Sequence, residues 1–379
     1  MCIRDSPKGS VLRHLLVDYW KDEHLRHGYQ MVDTPHVSKA DLWRTSGHMD
    51  FYRENMYLFE VEGQDFVVKP MNCPGHILIY KRRLWSYREL PVRYAEMGTV
   101  YRYERSGTLH GMLRVRGFTQ DDAHIFCTPE QLPEEILGVL RLTRKILTTF
   151  GFQDFQVELS VRDPQNKEKY AGSDEEWEQA EAALVAAIEK EGFRFKRMEG
   201  EAVFYGPKID VKLIDALGRK WQTSTCQFDF NLPRRFGVDY VDDHGERRHV
   251  FMVHRAIFGS LERFIGMLTE HYAGDFPLWL APVQVKVLPV SDDQRAYAEQ
   301  VRQELQSAGL RCEVDGREEK IGRKIREAEL EKVPCMLVVG GREAASGQVS
   351  LRRHGQGDQG ALALDDLKSR LLDEVARKA

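Results

Sequence analysis

Six cysteines in 379 residues (Cys2, Cys73, Cys127, Cys226, Cys312 and Cys335) stand far apart and form no CxxC pair. Reduced thiols fit that spacing better than a disulfide framework, and the expected compartment is the cytoplasm. Long apolar runs are also missing. None approaches the ~20 uncharged residues that span a bilayer, and no secretory signal pattern opens the chain, so no membrane partner is expected. Nor does either charge dominate. Lys and Arg number 55 against 59 Asp and Glu, a net charge of −4, which argues against a blanket polyanion binder but leaves room for local patches. What is present is 42% apolar and 30% charged residues, the balance of a globular protein with two or three domains.

The chain is organised around 101–126, YRYERSGTLHGMLRVRGFTQDDAHIF. A β-rich run at Val100, Tyr101 and Tyr103 crosses a Gly/Ser/Thr loop and returns as a second strand ending at Ile125 and Phe126, a hairpin with a long basic tip. Alternation puts Gln120, Asp122 and His124 on one face, and Arg102 and Glu104 together on another. So many polar groups among aromatics are costly to bury without a polar ligand; a solvated hairpin with ordinary ion pairs is the bland alternative.

Upstream, Val11 to Gly28 has helical apolar spacing, a strand is expected at 29–34 before Pro35, and a helix from Asp41 leads into a loop at 46–50 that carries His48. Phe66–Val68 reads as a strand running into KPMNCPGH, where two prolines and a glycine fix an irregular junction around Cys73. A helix from His76 through Tyr87 follows. Downstream come amphipathic helices at 134–150 and 175–191 and a hairpin of 209–213 with 221–230. Gln222 and Gln227 have opposite parity on its second strand, so both face one cavity only across a bulge or strong twist. The strand at 250–253 ends at His254, and the helix at 256–272 carries Arg263, a position more often ion-paired than functional.

PLWLAP at 277–282 marks a boundary between domains at 1–281 and 282–379. The second part alternates strands (283–288, 311–313, 335–339, 348–351) with helices (292–308, 321–331, 365–376), a compact α/β unit. It has 17 basic and 17 acidic groups. Arg317, Lys320, Arg323, Lys324 and Arg326 cluster there, either as a solvated helix face or as a grip on phosphates.

Cys73, His124 and His254 stand at strand ends or rigid junctions near the proposed site. Cys/His₂ is a three-ligand zinc set that leaves one position open to a ligand. No local zinc spacing supports it, and a lone cysteine is usually a small buried hydrophobe.

Longer motifs carry a resemblance. YRYE at 101–104 with its arginine-bearing return strand resembles motif 2 of the class II aminoacyl-tRNA synthetases, GSLERF at 259–264 resembles motif 3, and the segment around Pro35 motif 1. KPMNCPGH, SGTLHGMLRVRGFTQDDAHIF, FYGPKID and HRAIFGSLERF together resemble the threonyl-tRNA synthetases, from Pro7 to the end of the chain. The resemblance implies an α+β catalytic domain, an antiparallel sheet flanked by helices, followed by a smaller α/β anticodon-binding domain, in a homodimer. It implies ATP-dependent activation of L-threonine and transfer to tRNA(Thr), with one Zn²⁺ per chain that selects threonine over valine, and Mg²⁺ with ATP. The competing expectation is a non-catalytic paralogue that binds tRNA or mRNA.

The residue roles it implies are these. Cys73, His124 and His254 match the zinc ligands. Asp122, Tyr205, Gln227 and Gln120 match the threonine pocket. Arg102, Glu104, Arg114, Gln222 and Arg263 match ATP contacts, and Arg102 and Arg263 also count as catalytic. His48 matches a histidine acting near the terminal ribose, and Lys208 a contact to substrate or product. Glu343, Arg352 and Lys320 match anticodon contacts, whereas Glu318 stands where asparagine is common. The family's N-terminal editing region is not matched, since the catalytic part is expected to begin almost at residue 1.

Overall fold

The computed structural model describes residues 6–215 and 217–378. The chain divides into two compact units, one of Val17–Met267 and one of residues 268–378 with the residues up to Leu16. The MCIRDS opening lies outside the described residues except for Ser6.

An eight-stranded sheet frames the larger unit, in the order Gln30–Met31, Val92–Tyr101, Gly117–Cys127, Phe251–Ala256, Lys220–Asp229, Lys208–Ile214, Gln156–Val161, Phe195–Glu199. Its six inner strands pair antiparallel. Both edges are parallel, Gln30 opposite Tyr94 at one and Val157 opposite Phe195 at the other. The sheet is antiparallel through its centre, as expected, and mixed only through its two edge strands. The cause at the second edge is topological: the helix Asp174–Lys190 carries the chain back to the strand's start, as parallel pairing requires.

Period-two alternation then separates two environments. On Gly117–Cys127, Ala123 and Ile125 are wholly buried. The helix Leu132–Thr149 packs against this strand and its neighbours, burying Ile136, Val139, Leu140 and Leu147. Each such side chain contributes about 1.5–3 kcal/mol by leaving water. Phe118, Gln120, Asp122 and His124 face the other way and line the site, while Phe126 at the strand's end packs in the core.

Several local expectations need correction. The 29–34 strand is only Gln30–Met31. The 46–50 loop is a helical turn, His48–Phe51, launched by Gly47 in the left-handed conformation that closes the preceding helix. The helix at Cys73 ends at Lys81, not Tyr87. The strand at 251 continues through His254 to Ala256, and its helix starts only at Leu261. Hydrogen bonding across the sheet overrides helix propensity there.

The smaller unit holds a five-stranded sheet in the order Cys312–Val314, Val285–Pro289, Cys335–Val339, Gln348–Arg353, Gly357–Ala363. The first three strands are parallel, joined by helices, and the rest antiparallel. Val285, Val287, Val301, Leu305, Leu337 and Leu367 fill its core. The helix Gly341–Ser346 and the strand Gly357–Ala363 were not legible: one is short, and the other, GDQGALA, is mostly exposed and lacks alternation.

Candidate active site

A cleft of about 470 Å³ opens on the face of the large sheet away from the Leu132–Thr149 helix. Cys73, Arg102, Glu104, Arg114, Gln120, Asp122, His124, Tyr205, Lys208, Gln222, Gln227, His254 and Arg263 all line it. Arg102 and Glu104 thus share a cavity with Gln120, Asp122 and His124; they lie past the end of the Val92–Tyr101 strand, where alternation no longer sets their face.

Gln222 and Gln227 reach the same cavity through a bulge. Val211 pairs with Ser224 but Lys212 with Gln222, so one residue is skipped and parity is reset. Asp210 fixes the result. Its Oδ1 accepts from Gln222 Nε2 (2.6 Å) and Thr225 Oγ1 (2.9 Å), while its Oδ2 accepts from Lys208 Nζ and Ser160 Oγ.

The buried floor holds the thiol and two imidazoles. The ligand atoms of Cys73, His124 and His254 lie within 4.8 Å of one another. His254 Nε2 sits 2.7 Å from Asp229 Oδ2, whose other oxygen accepts the N–H groups of Asn231 and Leu232. That carboxylate is an acceptor, so the ring proton belongs on Nε2 and Nδ1 is bare. His124 Nε2 faces this Nδ1 at 3.0 Å. Burial and the neighbouring imidazoles push His124 well below the ordinary histidine range, so the ring is neutral. Burial, Asp122 and Asp229 push the Cys73 thiol well up. At that distance the pair is a neutral N–H···N hydrogen bond if His124 carries its proton on Nε2, and two bare nitrogens open to one metal ion if it carries the proton on Nδ1. The thiol beside them makes this a Cys/His₂ donor set that fits Zn²⁺.

Asp122 stands beside that set, its Oδ1 3.7 Å from His124 Nε2 and its Oδ2 accepting from Asn72 Nδ2 at 3.0 Å. Asn72 reaches it because residue 98 is glycine: a Cβ there would lie 2.5–2.6 Å from the Asn72 amide. Gln227 is buried with its Nε2 lacking a hydrogen-bond partner among the described residues, a donor left for a polar ligand.

Arginines of lower burial line the rest. Arg102 donates from Nε to Pro70 O (3.2 Å) and lies 5.1 Å over the Phe118 ring. Arg114 pairs with Glu104 at 3.0 Å. Among the described residues Arg263 has no ion-pair partner; it donates to two backbone carbonyls, Leu113 O at 2.9 Å and Gln222 O at 2.7 Å. Burial, with Arg102 and Arg114 nearby, lowers its pKa. Its helix is aimed by Asp121, which alternation turns away from the cleft. Asp121 accepts the backbone N–H of Ile257, Phe258 and Gly259 within 3.0 Å. Gly259 has φ +75°, and a Cβ there would meet Thr223 O at 2.2 Å.

His48 does not line the cleft. It is 2% exposed, with Nδ1 2.7 Å from Ser46 Oγ and Nε2 3.1 Å from the Sδ of Met71, which does line it. Sequence reasoning missed Asn72, Asp210, Thr225 and Asp229. Only Thr225, two residues from Gln227, carried a legible signal.

In the smaller unit Lys320 lines a second cleft of about 360 Å³ with Arg317 and Glu318; Glu343 and Arg352 do not. Glu343 caps its own helix through Gly340 N, and Arg352 lies 3.6 Å from Asp358. Of the basic cluster, Arg317 pairs with Asp315 and Glu327, Arg323 with Glu319 and Glu327, and Lys324 is buried on Pro289 O. These three are structural contacts.

Residues 57–272 match the tRNA synthetase class II core domain (G, H, P, S and T), and residues 284–374 an anticodon binding domain. The chain is 56% identical over 374 residues to a threonine–tRNA ligase of Acidobacterium capsulatum, covering 98% of this chain and 55% of that protein. It is 52% identical over 373 residues to one from Caldanaerobacter subterraneus, covering 98% and 57%. The chain thus spans little more than half the length of these relatives. A crystal structure described as the RNA binding domain of threonyl-tRNA synthetase from Cryptosporidium parvum superposes with a TM-score of 0.92 at 41% identity, covering 97% of this chain and 92% of that one.

Proposed function

Because the chain belongs to the class II tRNA synthetase core family and carries an anticodon binding domain, we propose that it activates L-threonine with ATP and passes the threonyl group to tRNA(Thr). One observation carries this reading: the Cys/His/His donor set, Asp122 and the unpartnered Gln227 share a single cleft with Arg102, Arg114 and Arg263.

In the first step the threonine carboxylate attacks the α-phosphorus in line. The bond to the β-phosphate oxygen breaks, and pyrophosphate leaves with its electron pair. Charge builds on the phosphate oxygens, so positioning and electrostatics dominate. Arg102 takes the α-phosphate with its planar fork, which stays charged throughout. Arg263 and Gln222 bind ATP, Arg114 takes the γ-phosphate and Glu104 the adenine side. Mg²⁺ would accompany ATP and offset the negative charge of its phosphates.

Asp122 receives the threonine ammonium, and Gln120, Tyr205 and Gln227 close the amino-acid pocket. Cys73, His124 and His254 would hold Zn²⁺, which would supply Lewis acidity for recognising the amine and hydroxyl of threonine. Valine, nearly the same shape, lacks the hydroxyl; an apolar pocket alone would reject it only ~10²-fold. Lys208 contacts substrate or product. His48 acts at the terminal ribose in the transfer step, which requires Met71 to swing aside.

Residues 1–281 form the catalytic part and 282–379 the anticodon part, with Lys320, Glu343 and Arg352 reading bases. The chain acts as a homodimer in the cytoplasm, a placing that follows from the reaction. No helix among the described residues is long and apolar enough to cross a membrane.

Charging of a tRNA(Thr) transcript with labelled threonine tests the reading. Product is expected from the wild type, and at least 100-fold less from Arg102→Ala. Tight tRNA binding with no charging would replace it with the non-catalytic paralogue.

A further inference from the structure

Behind the donor set lies a buried polar chain that leads away from the cleft. His124 Nδ1 is 2.8 Å from His76 Nδ1, and His76 Nε2 is 3.0 Å from Glu96 Oε2. His76 is wholly buried and Glu96 is 4% exposed. Glu96 is gripped at four further contacts. Lys69 Nζ donates to Oε1 at 2.8 Å, Thr34 N to Oε1 at 3.1 Å, and Thr34 Oγ1 lies 3.1 and 2.8 Å from the two oxygens. Burial alone would raise this carboxyl, but His76 and Lys69 outweigh it and bring it down to about 2. It is an ionised acceptor.

An acceptor at Oε2 requires the His76 proton on Nε2. In the neutral ring His76 Nδ1 is then bare and accepts, so His124 donates from its own Nδ1. The outcome is a bare Nε2 on His124, the atom that faces His254 Nδ1 in the donor set. A metal-bound histidine ordinarily donates its other ring N–H to such a partner, which fixes the tautomer and the ring's orientation. Asp229 does this for His254 in one step. Resting on the zinc reading above, we infer that Glu96, acting through His76, holds His124 in the Nδ1–H form and presents its Nε2 to the metal. Glu96 and His76 are positioning residues of this site. They lie in the strand Val92–Tyr101 and the helix Cys73–Lys81, so the same helix supplies the Cys73 ligand and the brace for His124.

The isosteric change Glu96→Gln makes the test sharp. Lys69 can only donate, so the amide oxygen must stay on Lys69 and Thr34 N, and the NH₂ turns to His76 Nε2. His76 must then accept there and donate from Nδ1, which forces the His124 proton onto Nε2. Zinc affinity, read by competition with a chromophoric chelator, is expected to fall 10- to 100-fold. Nitrogen-15 spectra of the zinc-loaded wild type are expected to show His76 as the Nε2–H and His124 as the Nδ1–H form. His76→Asn, which keeps an acceptor near the Nδ1 position, should stay within a few-fold of wild type, whereas His76→Leu should not; this pair separates the relay from general loss of packing. Wild-type zinc binding with Glu96→Gln within twofold of it, or with His76 protonated on Nδ1 alone, would overturn the relay. A wild-type chain that binds no zinc would overturn the metal reading itself.

Discussion

In the proposed reaction, Arg102 is the residue on which the chemistry leans most. Its Nε is committed to Pro70 O and its plane lies over Phe118, so the remaining N–H groups are preset toward the cleft. Lysine keeps the charge but loses the fork. Arg102→Lys is therefore expected to lower kcat for adenylate formation about 10²-fold, with a smaller change in KM for ATP; equal kcat in the two would contradict that role. His48 adds a pH signature. Burial, with His254 and Arg102 nearby, brings its pKa from 6.5 down to about 4. Between those values the unfolded chain binds the proton and the folded chain does not, so stability present above about pH 6.5 is lost as pH falls toward 4. The effect is roughly 3 kcal/mol at most. His48→Gln should flatten the loss between pH 7 and 5 in urea titrations, but not abolish it, because buried His24 is shifted in the same direction. An unchanged slope would place His48 in contact with water. At this scale the sequence was legible where a side chain touches the cleft and silent one layer behind it. Asn72, Glu96, Asp210 and Asp229 act through partners 12–50 residues away in the chain, and no local spacing announces such pairs.

Strand alternation, the strongest signal in 117–127, put Gln120, Asp122 and His124 on one face, and they do share the cleft. The same rule left Gln222 and Gln227 in conflict, and the conflict itself pointed to the bulge now seen between Lys212 and Val211. What alternation could not give were the parallel edge strands. Gln30–Met31 is only two residues long, and Phe195–Glu199 is largely exposed. Close approach between elements is a second property that sequence hides. Gly98 lets the residue just before the Cys73 helix lie against the central sheet. Gly98→Ala is expected to displace Asn72 from Asp122 and raise the KM for threonine about 10-fold while leaving the KM for ATP unchanged. Asn72→Ala should do the same without a steric insertion. A parallel rise in both constants would mean that the whole cleft, not one carboxylate, had moved.

For the whole molecule, a ligand that binds only the folded state stabilises it by mass action. With zinc at 100 times its dissociation constant that is about 2.7 kcal/mol, so chelation should lower the melting temperature of the wild type by several degrees. It should do so far less in His254→Ala, and equal shifts in both would locate the metal elsewhere. On the proposed zinc reading, the same donor set would set the chemistry of selection. Serine keeps both polar groups of threonine and loses a methyl worth roughly 1–3 kcal/mol, whereas valine loses the hydroxyl. The most direct measurement is amino-acid-dependent exchange of pyrophosphate into ATP on the zinc-loaded chain. Strong exchange with threonine, about 10- to 200-fold less with serine and none with valine is the expected result. Exchange with valine rivalling that with serine, or none with threonine on a folded, zinc-loaded chain, would contradict it.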